Sequence, residues 1–559
     1  MKKDNRMILA VMLLCVLSFF LFSQDAAEKL SPAGIFLLLA VAVGYQGYLH
    51  IRKRPWPDRR LGLLCGGMGM CAALLIWWAC RMKADMGKYG DLITVESWVL
   101  IAVVLVWCGL CVWAEKGVTE NTVLLILFGG FLIRIFYVVL VQSHILQNDT
   151  GALLAEDYGH MGYVYHIYSE GRLPDTYKVQ FYHPPLHHLI CALLLKVFFA
   201  LGYQIGEMQE LLQVQAVMYG MLTLFFINKI GIRLRIPPLG RGIGLAFAAF
   251  LPYGIMMGGA VNNDSLMTLL STMALYYTLV WYENPSYKNI IIMALCIGGA
   301  MMAKLSGALV APAMAVLMLH RAWKERERLG NWLRQFVCFG AVAFPLGLWY
   351  SVFRYVKNGM PFGYVPSLGE DSAQFIGMHI GWSRFLDFEN VFDNLALQWD
   401  NHNWIDHNIP ISMIKCAVFG EGYYYNSNSA LCWAATVMFW ATLALAVLVA
   451  AGYILWLFQK RQSAVEKVFL SVALAVSVFS YTKFCLAYPY VCTMNIRYII
   501  VALYLAFLIF GGAVGTLIEG IGRRSALAAK GMKAGAVALA GGYVAGAVAL
   551  IVQAGQVLP

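Results

Sequence analysis

The stretch from Ala155 to Leu189 gathers two adjacent carboxylates, Glu156 and Asp157, five histidines and the pair Pro184–Pro185 in an otherwise mostly apolar chain. A carboxylate beside a histidine suits proton abstraction: one group takes the proton, and its neighbour orients it or adjusts its pKa. If 156–168 is a short helix, Glu156, His160, Tyr163 and His166 or Ile167 fall near one face, and Asp157 sits one turn before His160. The plain alternative is a solvated amphipathic helix lying on lipid headgroups. His183 and His187 are also one helical turn apart, which suggests a structural metal there, and a catalytic divalent cation held partly by Asp157 is a second candidate. Zinc sites usually declare a third or fourth ligand at compact spacing. None is obvious at compact spacing here, so no cofactor is certain and aromatic–proline packing competes with a metal.

Three further stretches carry candidate chemistry: "VNNDS" at 261–265, "AKLSG" at 303–307 and "NIRY" at 495–498. They offer Asp264, Lys304, Arg497 and Tyr498. Cations at a membrane edge usually snorkel to headgroups. Two of them facing an acidic loop can instead clamp a phosphate, Arg497 through two parallel hydrogen bonds and Lys304 as a point charge.

The elements that must position these residues are membrane helices. The 559 residues are 60% hydrophobic and 13% charged, with mean hydropathy +0.67, which excludes a soluble globular protein. Apolar runs of about 17 to 22 residues recur along the chain, each long enough to cross a hydrocarbon core of roughly 30 Å. The predicted fold is an all-α polytopic transmembrane bundle of about fifteen spans. They fall near 7–23, 31–50, 61–80, 97–114, 121–142, 211–229, 240–258, 264–283, 289–304, 305–320, 335–353, 430–458, 468–485, 497–518 and 536–553. The signal-like first segment lacks a convincing small-residue cleavage site and reads as a retained anchor. Cys108 and Cys111 sit in an apolar run with no histidine or second pair nearby, so packing explains them better than a metal or redox role.

Charge sets the orientation. Eight short segments between spans hold 26 of the 41 Lys and Arg, which places them in the cytoplasm. The two long polar loops, 143–183 and 354–428, carry 13 acids against six Lys or Arg and belong outside. This threading holds only if 186–202 does not fully cross, so it reads as a re-entrant or interfacial helix. Three regions follow: a block of four spans at 1–120, a core at 121–520 with the external loops, and a cytoplasmic segment with the last span at 521–559.

The order of "LIRIFYVVL", the external acidic pair followed by His160, "YHPPLHH", "NNDS", "AKLSG", "WIDHNIPISMIKCAVFGEGYY" and "NIRYI" resembles the C-type membrane glycosyltransferases of GT-C fold. Within them it is most similar to the branch holding protein O-mannosyltransferases and lipid A aminoarabinose transferases. The resemblance spans about residues 121 to 520. It implies a GT-C-like architecture and transfer of a sugar from a polyprenyl-phosphate donor, on the outer face of a bacterial cytoplasmic membrane. Asp157 or Glu156 would act as base, and Arg497, with Lys304, would stabilise the leaving phosphate. His160, His183, Asp264 and Tyr498 would line the substrate site. Two departures stand out: the pair is Glu-Asp rather than the family's usual Asp-Glu, and the spans at 1–120 have no obvious counterpart. The donor arrives activated, so the absence of a Gly-rich phosphate loop fits. The acceptor is a lipid, glycan or protein; membrane lipids are partners and nucleic acid is not. The rival is a polytopic transporter or lipid flippase, which should show paired halves and charges near the bilayer midplane.

Overall fold

The structure is a computed structural model that describes residues 120–143, 147, 149–154, 158–377, 379–395, 405–421 and 429–557. The expected anchor, the other spans before residue 120, the C-x-x-C pair and the carboxylates Glu156 and Asp157 lie outside the described residues. Among the described residues the fold is all-α, with one isolated antiparallel bridge, Phe375 to Tyr490. Seven helices are long and apolar enough to cross a bilayer: Met208–Arg233, Leu305–Lys324, Arg326–Asn358, Trp433–Phe458, Ala464–Ala487, Ile500–Gly522 and Ala526–Ala554. The chain is an integral membrane protein.

One further apolar helix pair is bent at a break. The run 240–258, read from sequence as one span, forms Pro238–Ala249 and Pro252–Gly259, bent by 69°. Pro252 is the physical reason, because it has no N–H to give the preceding turn and its ring crowds that turn. Carbonyls freed at such a break need partners where water is scarce. Arg134, buried in the helix Glu120–Leu140, supplies them. Its Nη1 donates to the carbonyls of Gly130 and Ala249 at 2.8 Å each, and its Nη2 to that of Gly254 at 3.1 Å.

The helix Leu186–Ala200 starts directly after Pro184–Pro185 and has 15 residues. At about 1.5 Å per residue it is shorter than a hydrocarbon core of roughly 30 Å.

The bundle has two unlike ends. At one, the basic connections are knitted by ion pairs: Arg233–Glu283, Arg241–Glu120, and Arg235–Glu466 and Arg461–Glu519 at 2.5 Å each. At the other, Glu120–Leu140 finishes, Asn263–Glu283 starts, Tyr287–Ala303 finishes and Ile500–Gly522 starts. The loops holding the candidate residues therefore share one end.

The helix Ile500–Gly522, which follows Arg497, crosses Pro238–Ala249 backbone against backbone. A Cβ at Gly244 would lie 2.6 Å from the Phe507 carbonyl oxygen, and one at Gly515 would lie 3.0 Å from Gly240 Cα. Gly240 and Gly244 on one helix face Gly511 and Gly515 on the other, each pair four residues apart. In lipid, where apolar side chains gain little by meeting each other, such close van der Waals contact is what joins helices.

Candidate active site

Asp149 sits in the loop that follows Glu120–Leu140, and two glycines shape its position. Gly151 and Gly159 have φ of +69° and +76°. They touch so closely that a Cβ on Gly159 would lie 2.5 Å from the Thr150 carbonyl oxygen and 2.7 Å from Gly151 Cα. The first N–H groups of the helix Gly159–Glu170 have no partners within their own helix. Two of them donate back to the loop, His160 N to Asp149 O at 3.0 Å and Met161 N to Thr150 O at 2.9 Å. The loop is thereby folded onto the helix start, and the Asp149 carboxylate stands 3.6 Å from His160 Nε2.

"VNNDS" and "AKLSG" meet because their asparagines stitch two helix ends together. Asn262 caps Asn263–Glu283, its Oδ1 accepting the Asp264 N–H at 3.1 Å. Asn263 Nδ2 donates to the Ala303 carbonyl at 2.9 Å, drawing in the end of the neighbouring helix. Lys304, in extended backbone just past that helix, places Nζ 2.7 Å from Asp264 Oδ1 and 4.7 Å from the centre of the Tyr498 ring.

Arg497 lies in a short turn, Ile496–Tyr498, capped by Asn495, whose Oδ1 accepts the Arg497 N–H at 2.9 Å. Its guanidinium is shared among three carboxylates. Nη1 is 2.7 Å from Asp149 Oδ2 and 3.4 Å from Glu421 Oε1, and Nε is 3.6 Å from Asp264 Oδ2. Nη2 donates to the Tyr498 hydroxyl at 3.1 Å. Asn495 Nδ2 holds Glu421 Oε1 at 2.5 Å. Arg497, Asp264 and Glu421 are buried, and Asp149 is only 18% exposed.

Burial alone would raise the Asp149 carboxyl, but the Arg497 charge, helped by His160 and Lys304, holds it well below the usual carboxylate range. Asp149 is therefore ionised at neutral pH. Burial, followed by the charge of Lys304, pushes His183 well below the ordinary imidazole value, so this ring is neutral. His183 packs against the Tyr182 and His160 rings at 4.0 and 5.3 Å, and His160 Nδ1 meets His188 Nε2 at 3.0 Å. His187 Nε2 instead lies 3.6 Å from Cys191 Sγ. Among the described residues no third His, Cys, Asp or Glu closes a metal site with His183 and His187.

Six of the residues singled out from sequence, His160, His183, Asp264, Lys304, Arg497 and Tyr498, thus lie in one connected cluster. Asp157 and Glu156 are the two that cannot be placed, since they lie outside the described residues. Sequence reasoning passed over Asp149 and Glu421. Asp149 is a lone acid in "QNDTG", outweighed by the pair that follows it; Glu421 is the acid of "FGEGYY". Several buried polar atoms here have no hydrogen-bond partner among the described residues: Asp149 Oδ1, Asn262 Nδ2, Asn263 Oδ1, Asp264 Oδ2 and Arg497 Nε. Buried polar groups are normally satisfied, and their gathering around two cations suits a charged ligand that brings its own donors and acceptors.

No curated protein matches the chain. Among solved structures, that of ArnT from Cupriavidus metallidurans bound to undecaprenyl phosphate aligns over 70% of this chain and 78% of that chain, at 13% identity and a TM-score of 0.32. Residues 182–349, which include His183, Asp264 and Lys304, match the family model described as dolichyl-phosphate-mannose-protein mannosyltransferase, so over that segment the chain is similar to glycosyltransferases of this family.

Proposed function

We propose that the protein is a membrane glycosyltransferase that moves a hexose or pentose from a polyprenyl phosphate to an acceptor hydroxyl on the outer face of the cytoplasmic membrane. The observation that carries this reading is the sharing of Arg497 among Asp149, Glu421 and Asp264, with Lys304 alongside. Two cations stand together there among three carboxylates, so a phosphate would draw on Arg497 and Lys304 in competition with those carboxylates. The family match over 182–349 supports the same reaction class.

In the proposed reaction the donor phosphate draws on Arg497 and Lys304. The acceptor oxygen attacks the anomeric carbon, the bond from that carbon to the phosphate oxygen breaks, and the phosphate leaves with the electron pair. Asp149 takes the hydroxyl proton. An anion beside Arg497 competes for the charge that keeps the Asp149 pKa low, so donor binding raises that pKa towards the range where a base works best. The developing phosphate charge falls where two fixed cations already sit. The concentration of these groups at one end of the bundle favours this reading over a transporter, whose charges should lie near the midplane.

Incubation of the purified protein with radiolabelled polyprenyl-phosphate sugars and a membrane extract as acceptor tests the reading. Label should leave the polyprenyl-phosphate fraction for a new product. If every such donor stays intact while the protein is folded, the transferase reading fails.

A further inference from the structure

We infer that residues 380–392, in the long connection between the helices Leu329–Asn358 and Ser429–Phe458, form a second attachment to the bilayer. They lie in the leaflet at the Arg497 end of the bundle and bury their apolar side chains among lipids. For a loop in water the segment has its polarity reversed. Its cation, Arg384, is 1% exposed, whereas Ile380, Trp382 and Leu386 are 76%, 79% and 70% exposed and Phe388 is half exposed. Large apolar side chains left open together in one short stretch mark a partner or a membrane, not a solvated surface.

The local backbone enforces this arrangement. Arg384 donates from Nε to the His407 carbonyl at 2.7 Å and from Nη1 to the Cys485 carbonyl at 3.0 Å, which pins it inward. The Leu386 N–H donates to the Trp382 carbonyl at 3.0 Å, so these two side chains stand one helical turn apart on a common face. With Arg384 turned in, that face is turned out.

Two contacts give the depth. Crossing a hydrocarbon core of roughly 30 Å takes about twenty helical residues at about 1.5 Å each. Counted back from Phe458, at the end where Arg461 pairs with Glu519, the core finishes near Phe439 and Trp440. Phe392 stacks on Trp440, with centroids 5.7 Å apart and planes 22° from parallel, and meets the Phe439 ring edge-on at 6.3 Å. Counted forward along Ala464–Ala487, whose first turn holds Glu466 paired with Arg235, the core finishes in the last turn. That turn contains Cys485, the carbonyl partner of Arg384. The segment therefore touches two spans where hydrocarbon gives way to headgroups, the layer that tryptophan favours. Trp440 is itself half exposed on its span, so the segment continues a lipid-facing surface rather than starting a separate one.

Charge narrows the partner. Between Ile380 and Asn394 the one cation is the buried Arg384, and Asp387, Glu389 and Asp393 are acids. Such a segment has nothing with which to hold anionic headgroups, so apolar burial fastens it. The attachment also reaches the candidate active site. Asn408 Nδ2 holds the carbonyls of Phe385 and Asp387 at 3.2 and 2.9 Å, and its Oδ1 accepts the Ile411 N–H at 3.0 Å. The helix it caps, Ile409–Phe419, runs on to Glu421, 3.4 Å from Arg497. A segment that rides on lipid thus sets the height of one carboxylate beside Arg497.

The test uses the wild-type full-length protein in phosphatidylcholine nanodiscs doped with a phosphatidylcholine whose acyl chain carries a diazirine near the headgroup. After irradiation, peptide mass spectrometry maps the lipid adducts. Residues 380–392 should be labelled as strongly as the stretch from Trp433 to Trp440, several-fold more than the exposed acidic stretch at 369–371, and equally at low and high salt. Trp382→Ser combined with Leu386→Ser should lower labelling of the segment several-fold and leave that at Trp440 unchanged. Labelling of the Trp440 stretch without residues 380–392 in the wild-type protein would overturn the inference. So would chemical cross-links from the segment to a second copy, or to another part of the chain, in place of lipid adducts. Labelling lost at high salt would point to headgroup charge and would overturn it as well. Should the double variant fail to fold, the wild-type map still decides.

Discussion

Asp149→Asn separates two roles that the structure gives one carboxylate. Asparagine keeps the shape and removes the charge, and Arg497 retains Glu421 and Asp264 as partners, so the fold should persist. As base, Asp149 is responsible for turnover, and its loss should lower kcat by about 10² to 10⁴-fold. As a partner of Arg497 at 2.7 Å it competes with phosphate, and its loss should tighten phosphate binding. A hydrogen bond to a charged group contributes roughly 1.5 to 3 kcal/mol, and with asparagine only Arg497 remains charged, which moves the bond from the upper towards the lower end of that range. The substitution therefore weakens the hold on Arg497 by about 1 to 1.5 kcal/mol, and with 1.4 kcal/mol per factor of ten, polyprenyl phosphate should bind up to about 10-fold more tightly. Transfer of label from a radiolabelled donor gives the first quantity, and competition by unlabelled polyprenyl phosphate gives the second. Turnover within threefold of the wild type would exclude Asp149 as the base. Weaker binding of polyprenyl phosphate would show that Asp149 assists the phosphate rather than competes with it.

Three other outcomes are expected. Arg497→Lys should lose about 10 to 100-fold in kcat/KM, nearly as much as Arg497→Ala, because one ammonium cannot reach Asp149, Glu421 and Asp264 as the planar fork does; near-normal transfer by the lysine variant would return Arg497 to a simple interfacial anchor. Gly159→Ala should abolish transfer, since its Cβ meets the Thr150 carbonyl and Gly151 Cα at a positive φ; wild-type activity would mean that the Asp149 loop is not held by this contact. Cysteines introduced at 354–377 should react with a membrane-impermeant reagent in sealed cells and those at 320–334 should not, and labelling of 320–334 would reverse the proposed orientation.

The helices were legible in the sequence because apolar runs of about twenty residues have few alternatives in lipid. The kink at Pro252 was visible as a proline, yet the run around it still read as one span, since hydropathy averages over a single missing donor. Lys304 and Arg497 stood out in the sequence because each adjoins an apolar run at the end that also carries the acidic loops. Asp149 did not, because a neighbouring pair of acids offered a louder signal and its importance comes from a guanidinium 348 residues away. Glu421 depends in the same way on the turn at Asn495.

The crossing of Pro238–Ala249 over Ile500–Gly522 has a consequence for how this sequence is free to drift. Gly240, Gly244, Gly511 and Gly515 carry no charge and no chemistry, yet the helix that follows Arg497 rests against its neighbour through them. A single added methyl at Gly244 or Gly511 would wedge the two backbones apart, and no repacking of side chains can absorb an overlap with main-chain atoms. In a saturation scan for function these positions should tolerate as little as the charged residues do, while lipid-facing leucines and valines a turn away exchange freely. Invariance in this protein would then mark two unlike things, the atoms that react and the places where there is no room for an atom.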